Sequence, residues 1–212
     1  MNIENNGERV DINFYDYDIK KFDKYQLSHF HRYSFVREYI NSMKIPAWYI
    51  GDMACGSGYG SMLLHNSRNK VHGLDISSEA IEEISKRYSS EKFVSFFRHD
   101  LLTLNLWKLY DLIVSFETIE HLEREDIDKV LDNMHQALVD DGILIFSTPY
   151  DQEDSPQSRL HHKTFHIKED TIKEFLKDKF EIIETYYQNY DVHTPKKYLE
   201  EKKFVITVAR KI

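Results

Sequence analysis

One stretch constrains this chain more than any other. Tyr49-Ile50-Gly51-Asp52-Met53-Ala54-Cys55-Gly56-Ser57-Gly58-Tyr59-Gly60 runs from an apolar strand pattern through closely spaced glycines into a helix pattern. The glycines let the backbone approach a ligand in conformations closed to other residues. The helix N-terminus that follows offers free N–H groups to a carboxylate or phosphate. Asp75 closes the next apolar run, about 20 residues on, where an acid can accept hydrogen bonds from both hydroxyls of a ribose. A glycine turn alone is a weak signal; joined to the strand, the helix and Asp75 it marks a βαβ unit built to hold a nucleotide-like ligand.

The rest of the chain alternates in the same way. A leading helix is predicted over Gln26–Met43, with Phe30, Tyr33, Phe35 or Val36, and Ile40 at helical spacing until Pro46. Strands are predicted at Trp48–Ala54, Val71–Ile76, Phe93–Arg98, Tyr110–Phe116 and Gly142–Thr148. Helices fall between them at Tyr59–His65, at Glu79–Tyr88 capped by Ser77 or Ser78, and at Glu125–Leu138, closed by an Asp140-Asp141-Gly142 turn. A helix at Lys168–Lys179 then precedes strands Phe180–Tyr187 and Phe204–Ala209, whose connection suits antiparallel pairing. The expected fold is α/β: a doubly wound, Rossmann-like, mostly parallel seven-stranded sheet ending in an antiparallel C-terminal hairpin strand. Residues 1–25 read as a polar, partly ordered segment, and 26–212 as a single domain.

Composition narrows the function. The formal charge of −8, from 36 acidic and 28 basic residues, disfavours a bulky polyanionic partner such as nucleic acid. Lys196, Lys197, Lys202 and Lys203 cluster, but such a run reads first as a solvated face. No apolar run reaches bilayer length, and Met1–Asp18 lacks the apolar centre of a signal peptide, so a cytoplasmic protein without a membrane partner is expected. One cysteine, Cys55, excludes an internal disulfide and a cysteine-rich zinc site.

Dinucleotides and S-adenosyl-L-methionine both suit the glycine turn, and four details favour the second. Counted from Gly56, the dinucleotide pattern wants glycine at 61, where serine stands, with glycine at 60 instead. Asp52 closes the first strand, positioned to help hold a ligand ammonium; the plainer reading is a turn cap. Asp100 follows the third strand beside Leu101 and Leu102, as if to meet an adenine amino group in an apolar slot, unless it is a solvated strand end. The C-terminal hairpin is the fourth.

Asp52-Met-Ala-Cys-Gly56-Ser-Gly58-Tyr-Gly60, Asp75, His99-Asp100-Leu101 and Ser115-Phe-Glu-Thr-Ile-Glu-His-Leu122 resemble the successive motifs of class I S-adenosylmethionine-dependent methyltransferases. The resemblance runs from about residue 29 to the C-terminus. His29-Phe-His-Arg-Tyr33, the 116–122 run and Phe165-His-Ile-Lys-Glu169 are similar to small stand-alone enzymes of that class acting on sugars, glycan ends or other small metabolites. The resemblance implies that Gly56 and Gly58 face the methionine part and Asp75 the ribose. It also implies that Asp100 and Leu101 meet the adenine with Ile76 stacked beside it. Ala54 stands where the family's commonest form has glycine. Arg32 and Tyr33 are candidates for the methionine carboxylate, brought there by a leading helix acting as a cover; otherwise they are a surface helix face.

Ligands of such sheets bind at the carboxyl ends of the strands. Phe116, Glu117 and His121 follow the fourth strand and belong to that edge. His121, four residues from Glu117, is the first candidate for a general base, since imidazole titrates near neutrality; a hydrogen-bonded structural histidine is the alternative. Phe116 reads either as a π face for the sulfonium or as core. His161, His162 and His166 lie in the long Tyr150–His166 segment, a candidate substrate loop. His161 and His162 face apart in an extended chain, so no shared metal is expected there. The expected reaction is methyl transfer to oxygen or nitrogen of a small polar acceptor, a sugar or sugar-derived metabolite first. The alternatives are a cofactor-binding pseudo-enzyme or regulator, a protein or nucleic-acid methyltransferase, and a nicotinamide-dependent oxidoreductase. A homodimer through the sheet edge stays open.

Overall fold

The computed structural model describes residues 10–43 and 45–212; the first nine residues of the predicted N-terminal segment lie outside the described residues. Helix α1 spans Lys24–Ser42, and Asp23 starts it. The Asp23 carboxylate accepts the N–H groups of Tyr25 and Gln26, while the Gln26 side chain returns a bond to the Asp23 N–H, a complete capping box. After α1 come β1 (Tyr49–Met53), α2 (Tyr59–Leu64), β2 (Lys70–Asp75), α3 (Ser78–Arg87), β3 (Val94–Arg98) and β4 (Tyr110–Phe116). They are followed by α4 (Arg124–Ala137), β5 (Leu138–Pro149), α5 (Glu169–Leu176), β6 (Phe180–Gln188) and β7 (Phe204–Lys211).

The strands form one seven-stranded sheet in the order β3-β2-β1-β4-β5-β7-β6. Pairs from β3 through β5 are parallel, and β7 runs antiparallel to both β5 and β6. The last strand thus inserts between its predecessors. Its residues Phe204–Ala209 are almost wholly apolar and buried, as a strand covered on both faces requires. Alternation sorts the cores: Ile143 and Ile145 pack with α1 and α2, while Leu144 and Phe146 pack with α4 and α5.

Two boundaries differ from expectation. The Asp140-Asp141-Gly142 stretch is not a turn between helix and strand, because β5 already begins at Leu138. Buried Leu138 pairs with Tyr110, the register shifts before Leu112, and Asp141 takes a φ of 59°. The polar triplet is a bulge bracketed by buried apolar residues. Helix α5 stops at Leu176, where Asp178, at φ 63°, turns the chain into β6.

The segment before α1 packs against the domain. Ile12 is 3% exposed, Phe14 donates its N–H to the Tyr88 hydroxyl at 3.3 Å, and Ser57 Oγ donates to the Val10 carbonyl at 2.9 Å. This leader reaches the mouth of the glycine turn.

Candidate active site

The glycine turn sits where β1 ends. Ala54, Gly56 and Gly58 all adopt positive φ, at 61°, 55° and 73°. For alanine that conformation costs about 1–2 kcal/mol relative to the right-handed region. Ala54→Gly removes the strain and loosens the unfolded chain, two effects of opposite sign. The variant is expected to match or exceed the parent stability by up to about 1 kcal/mol in denaturant unfolding; a clear loss would mean that Ala54 is not strained. Gly60 matters for packing instead. A Cβ there would fall inside the Tyr33 ring, so its bare backbone is what lets α1 lie on α2.

Asp75, at the end of β2, is 7% exposed. Its Oδ2 accepts the Gly56 N–H at 2.9 Å and its Oδ1 accepts the Ser77 N–H at 2.9 Å. The carboxylate therefore fastens the glycine turn to the start of α3. Ile76 beside it is 61% exposed, a large apolar side chain presented to solvent. Both residues, with Ala54, Gly56 and Ser77, line one wall of an open cavity of about 1630 Å³ that extends past Phe116, Glu117 and His121 to His161 and His162.

Asp52 and Tyr33 do not line that cavity. Asp52 is fully buried, its Oδ1 accepting the Tyr33 hydroxyl at 2.9 Å and its Oδ2 the Ser61 hydroxyl at 2.6 Å. Both residues thus brace the turn from behind, and neither is presented to a ligand's ammonium or carboxylate. Burial pushes the Asp52 carboxyl up to about 7, against the two hydroxyl bonds that pull it down. An unfolded Asp titrates near 3.9, so between these values the folded chain holds the proton more tightly than the unfolded one. Stability from this group is full at low pH and is lost as pH rises towards 7. Asp52→Asn is expected to remove that loss: between about pH 4 and pH 7 the parent falls relative to the variant, by at most about 1.4 kcal/mol per pH unit, and the difference levels off above that. A stability difference that does not change with pH contradicts the assignment.

The opposite wall begins at the end of β4. Phe116 is 4% exposed and meets the Tyr33 ring edge-on at 5.0 Å between centroids. Glu117 takes a φ of 50°, and its Oε1 lies 2.5 Å from Arg32 Nη1 and accepts the Ser147 hydroxyl at 2.6 Å. Arg32, 2% exposed, also donates to Ser147 Oγ at 3.0 Å and stacks on the Phe204 ring at 4.4 Å. Arg32 borders the cavity, but its guanidinium is committed to Glu117 and Ser147 and so is not directed at a ligand carboxylate.

His121 lies on a 3-10 turn, Ile119–His121, and its Nδ1 is 2.9 Å from the His161 carbonyl oxygen. A carbonyl only accepts, so Nδ1 carries the proton and Nε2 keeps its lone pair. His162 meets His121 edge-on, with 4.8 Å between ring centroids, and its Nδ1 bonds the Gln152 side-chain oxygen. Burial, with His121 and His161 alongside, pulls the His162 imidazole down to about 4.

Some expected site residues stand apart. His166, at φ 54°, pairs with Asp151, which borders the cavity, but is not itself part of the lining. Asp100 caps a short 3-10 turn by accepting the Leu102 N–H at 2.9 Å, and neither it nor Leu101 lines the cavity. Among the lining residues that sequence reasoning passes over, two stand next to the candidate chemistry. His29 borders the cavity and bonds the Tyr59 hydroxyl through Nδ1; its place in the leader motif is the available signal. Glu120 is 1% exposed on the turn that carries His121; burial and the Glu117 charge push its carboxyl well above the usual range. An acid beside a histidine in a polar run gives no hint of such burial.

Residues 52–144 match a protein-family profile described as "Methyltransferase domain". A malonyl-[acyl-carrier protein] O-methyltransferase of Bacillus anthracis is 35% identical over 98 residues, 46% of this chain and 36% of that protein. Thiocyanate methyltransferase 1 of Brassica oleracea is 28% identical over 109 residues, 50% of this chain and 48% of the relative. The chain therefore spans about a third to a half of the length of these curated relatives. The N-methyltransferase NodS from Bradyrhizobium japonicum WM9, solved with S-adenosyl-L-homocysteine, superposes with a TM-score of 0.67 at 19% identity, covering 94% of each chain.

Proposed function

We propose that this chain is a class I, Rossmann-like S-adenosylmethionine-dependent methyltransferase that transfers a methyl group to oxygen or nitrogen of a small polar acceptor. The observation that carries the reading is one continuous cavity. Its first wall holds the positive-φ glycine turn and Asp75, and its second holds Phe116 and His121.

The residues suit the methyl donor. Exposed Ile76 offers an apolar face for adenine next to Asp75, whose carboxylate suits ribose hydroxyls. The open backbone at Gly56 suits the methionine end. S-adenosylmethionine supplies, when bound, a sulfonium methyl that is transferred by in-line displacement, so the protein's chief contribution is alignment. The Phe116 ring edges the passage between the two walls, and a π face there favours a cationic sulfur. A hydroxyl acceptor must lose a proton, and the lone pair on His121 Nε2 is the acceptor for it. Arg32 and Ser147 hold Glu117 in place beside it.

The acidic net charge of −8 favours a small acceptor over nucleic acid, and a sugar or sugar-derived metabolite is the first class to try. The test is transfer of a labelled methyl group to a panel of sugars, amines and small acids. His121→Ala is expected to lower turnover by about 10²-fold or more while leaving cofactor affinity within about twofold. Turnover that survives the substitution contradicts the role given to His121. Cofactor binding without transfer to any acceptor favours the regulator reading.

A further inference from the structure

We infer that Glu120, His121 and His162 form a site for a divalent transition-metal ion at the acceptor end of the cavity. Their ligand atoms all lie within 4.8 Å of one another, and all three residues border the cavity. An ion about 2.1 Å from each of three tetrahedral ligands holds them about 3.4 Å apart, so the side chains would close inward by about an ångström on binding it.

The hydrogen bonding of the three residues fits a missing cation. Glu120 is 1% exposed, yet neither of its carboxylate oxygens has a hydrogen-bond partner of normal geometry. The Thr148 hydroxyl alongside and the Arg32 charge favour the ionised carboxylate, but neither closes a bond of normal geometry on it. A buried carboxylate in that position is costly unless a charge or donor meets it. Each imidazole is oriented through Nδ1, His121 by the His161 carbonyl and His162 by the Gln152 side chain. That leaves a lone pair on both Nε2 atoms, the arrangement in which an outer partner fixes the tautomer of a metal-bound histidine. The two rings lie 4.8 Å apart between centroids, and one cation can meet both.

The site is held from two distant parts of the chain. Glu120 and His121 follow β4, whereas His162 comes from the loop between β5 and α5. The Glu120 carbonyl accepts the N–H groups of Lys163 at 2.8 Å and Thr164 at 3.1 Å, and Thr164 Oγ1 donates to the Leu122 carbonyl at 2.8 Å. These bonds lock the loop onto the turn before any ion arrives, and the site does not pair the loop histidines with one another. The partner of His162 is His121, not His161.

Two imidazoles and one carboxylate suit zinc, manganese, iron or cobalt better than calcium or magnesium, which prefer oxygen. Three protein ligands leave a coordination position open, and here it faces the cavity. An acceptor hydroxyl entering there would be polarised and would pass its proton to solvent water in the open cavity as its oxygen takes the methyl group. This role, unlike ion binding itself, rests on the methyltransferase reading; it favours hydroxyl-bearing acceptors and commits His121 to the ion instead of the proton.

The test is titration of metal-stripped full-length protein with Zn²⁺ by calorimetry and with Mn²⁺ by electron paramagnetic resonance, and S-adenosylmethionine is titrated separately into the same samples. One equivalent of ion should bind at micromolar affinity, and His162→Ala and Glu120→Gln should each weaken it by at least about tenfold. His166→Ala should leave it unchanged. A Co²⁺-loaded sample should show tetrahedral or five-coordinate d–d bands that disappear in His162→Ala. Absence of stoichiometric binding, or equal binding by parent and His162→Ala, overturns the site. Ion binding without cofactor binding keeps the metal site and rejects the methyltransferase reading, and the converse does the reverse.

Discussion

Replacing Asp75 by Ala is expected to weaken S-adenosylmethionine binding by at least tenfold, or about 1.4 kcal/mol. Two losses combine. The carboxylate that would accept the ribose hydroxyls is removed, and the N–H groups of Gly56 and Ser77, each now 2.9 Å from a carboxylate oxygen, lose their partner. The turn that must present its backbone to the methionine end is released in the same step. Asp75→Asn keeps one acceptor and should lie between the parent and Ala. Calorimetric titration with the methyl donor and with its demethylated product checks both variants, because the ribose is common to the two ligands. An affinity unchanged by Asp75→Ala would remove the ribose assignment.

The largest effect on stability is expected at Glu117. Its carboxylate faces Arg32, which is 2% exposed and also meets Ser147, the Ser28 carbonyl and the Phe204 ring. Glu117→Ala leaves that guanidinium inside the protein without its counter-charge. Breaking a buried pair from one side costs about 3–5 kcal/mol, and the lower end applies because the Glu117 side chain keeps 20% of its exposure. A loss of about 3 kcal/mol in urea unfolding is the expected result. A loss below about 1 kcal/mol, the range of exposed pairs, would mean that water already screens the contact. Activity should fall as well, since Arg32, Ser147 and Glu117 together join α1 and β5 to the segment that carries His121.

Most of the fold is legible in the sequence because its signals are local. Strand β4 reads from Tyr110 to Phe116 as it stands, since a continuous apolar run between polar segments has few other uses. The glycine turn, Asp75 and the Ser77 cap each depend on neighbours within a few residues. The position of β7 between β5 and β6 is not legible, because strand order is decided by tertiary pairing and leaves no mark in periodicity. The bulge at Asp141 is hidden for the same reason: two aspartates followed by a glycine look like any turn until Leu138 is seen paired with Tyr110.

The site divides along the same line. Asp75, Ile76, Phe116 and His121 meet in one cavity as their motif positions suggest. Asp52 and Tyr33 read as ligand contacts in the sequence because Asp52 closes the strand before the glycine turn and Tyr33 lies on the leading helix expected to cover the cofactor. Here they bond each other, and α1 covers them because Gly60 lets the Tyr33 ring in. Glu120 escapes notice because its burial is produced by the His162 loop, a contact that spacing along the chain does not reveal.

The most direct measurement is calorimetric titration of the purified protein with S-adenosylmethionine, S-adenosylhomocysteine and NAD in parallel. Micromolar binding of the first two and none of the third is expected of a methyltransferase site built on this glycine turn. Binding of NAD alone, or of none of the three, is incompatible with that assignment.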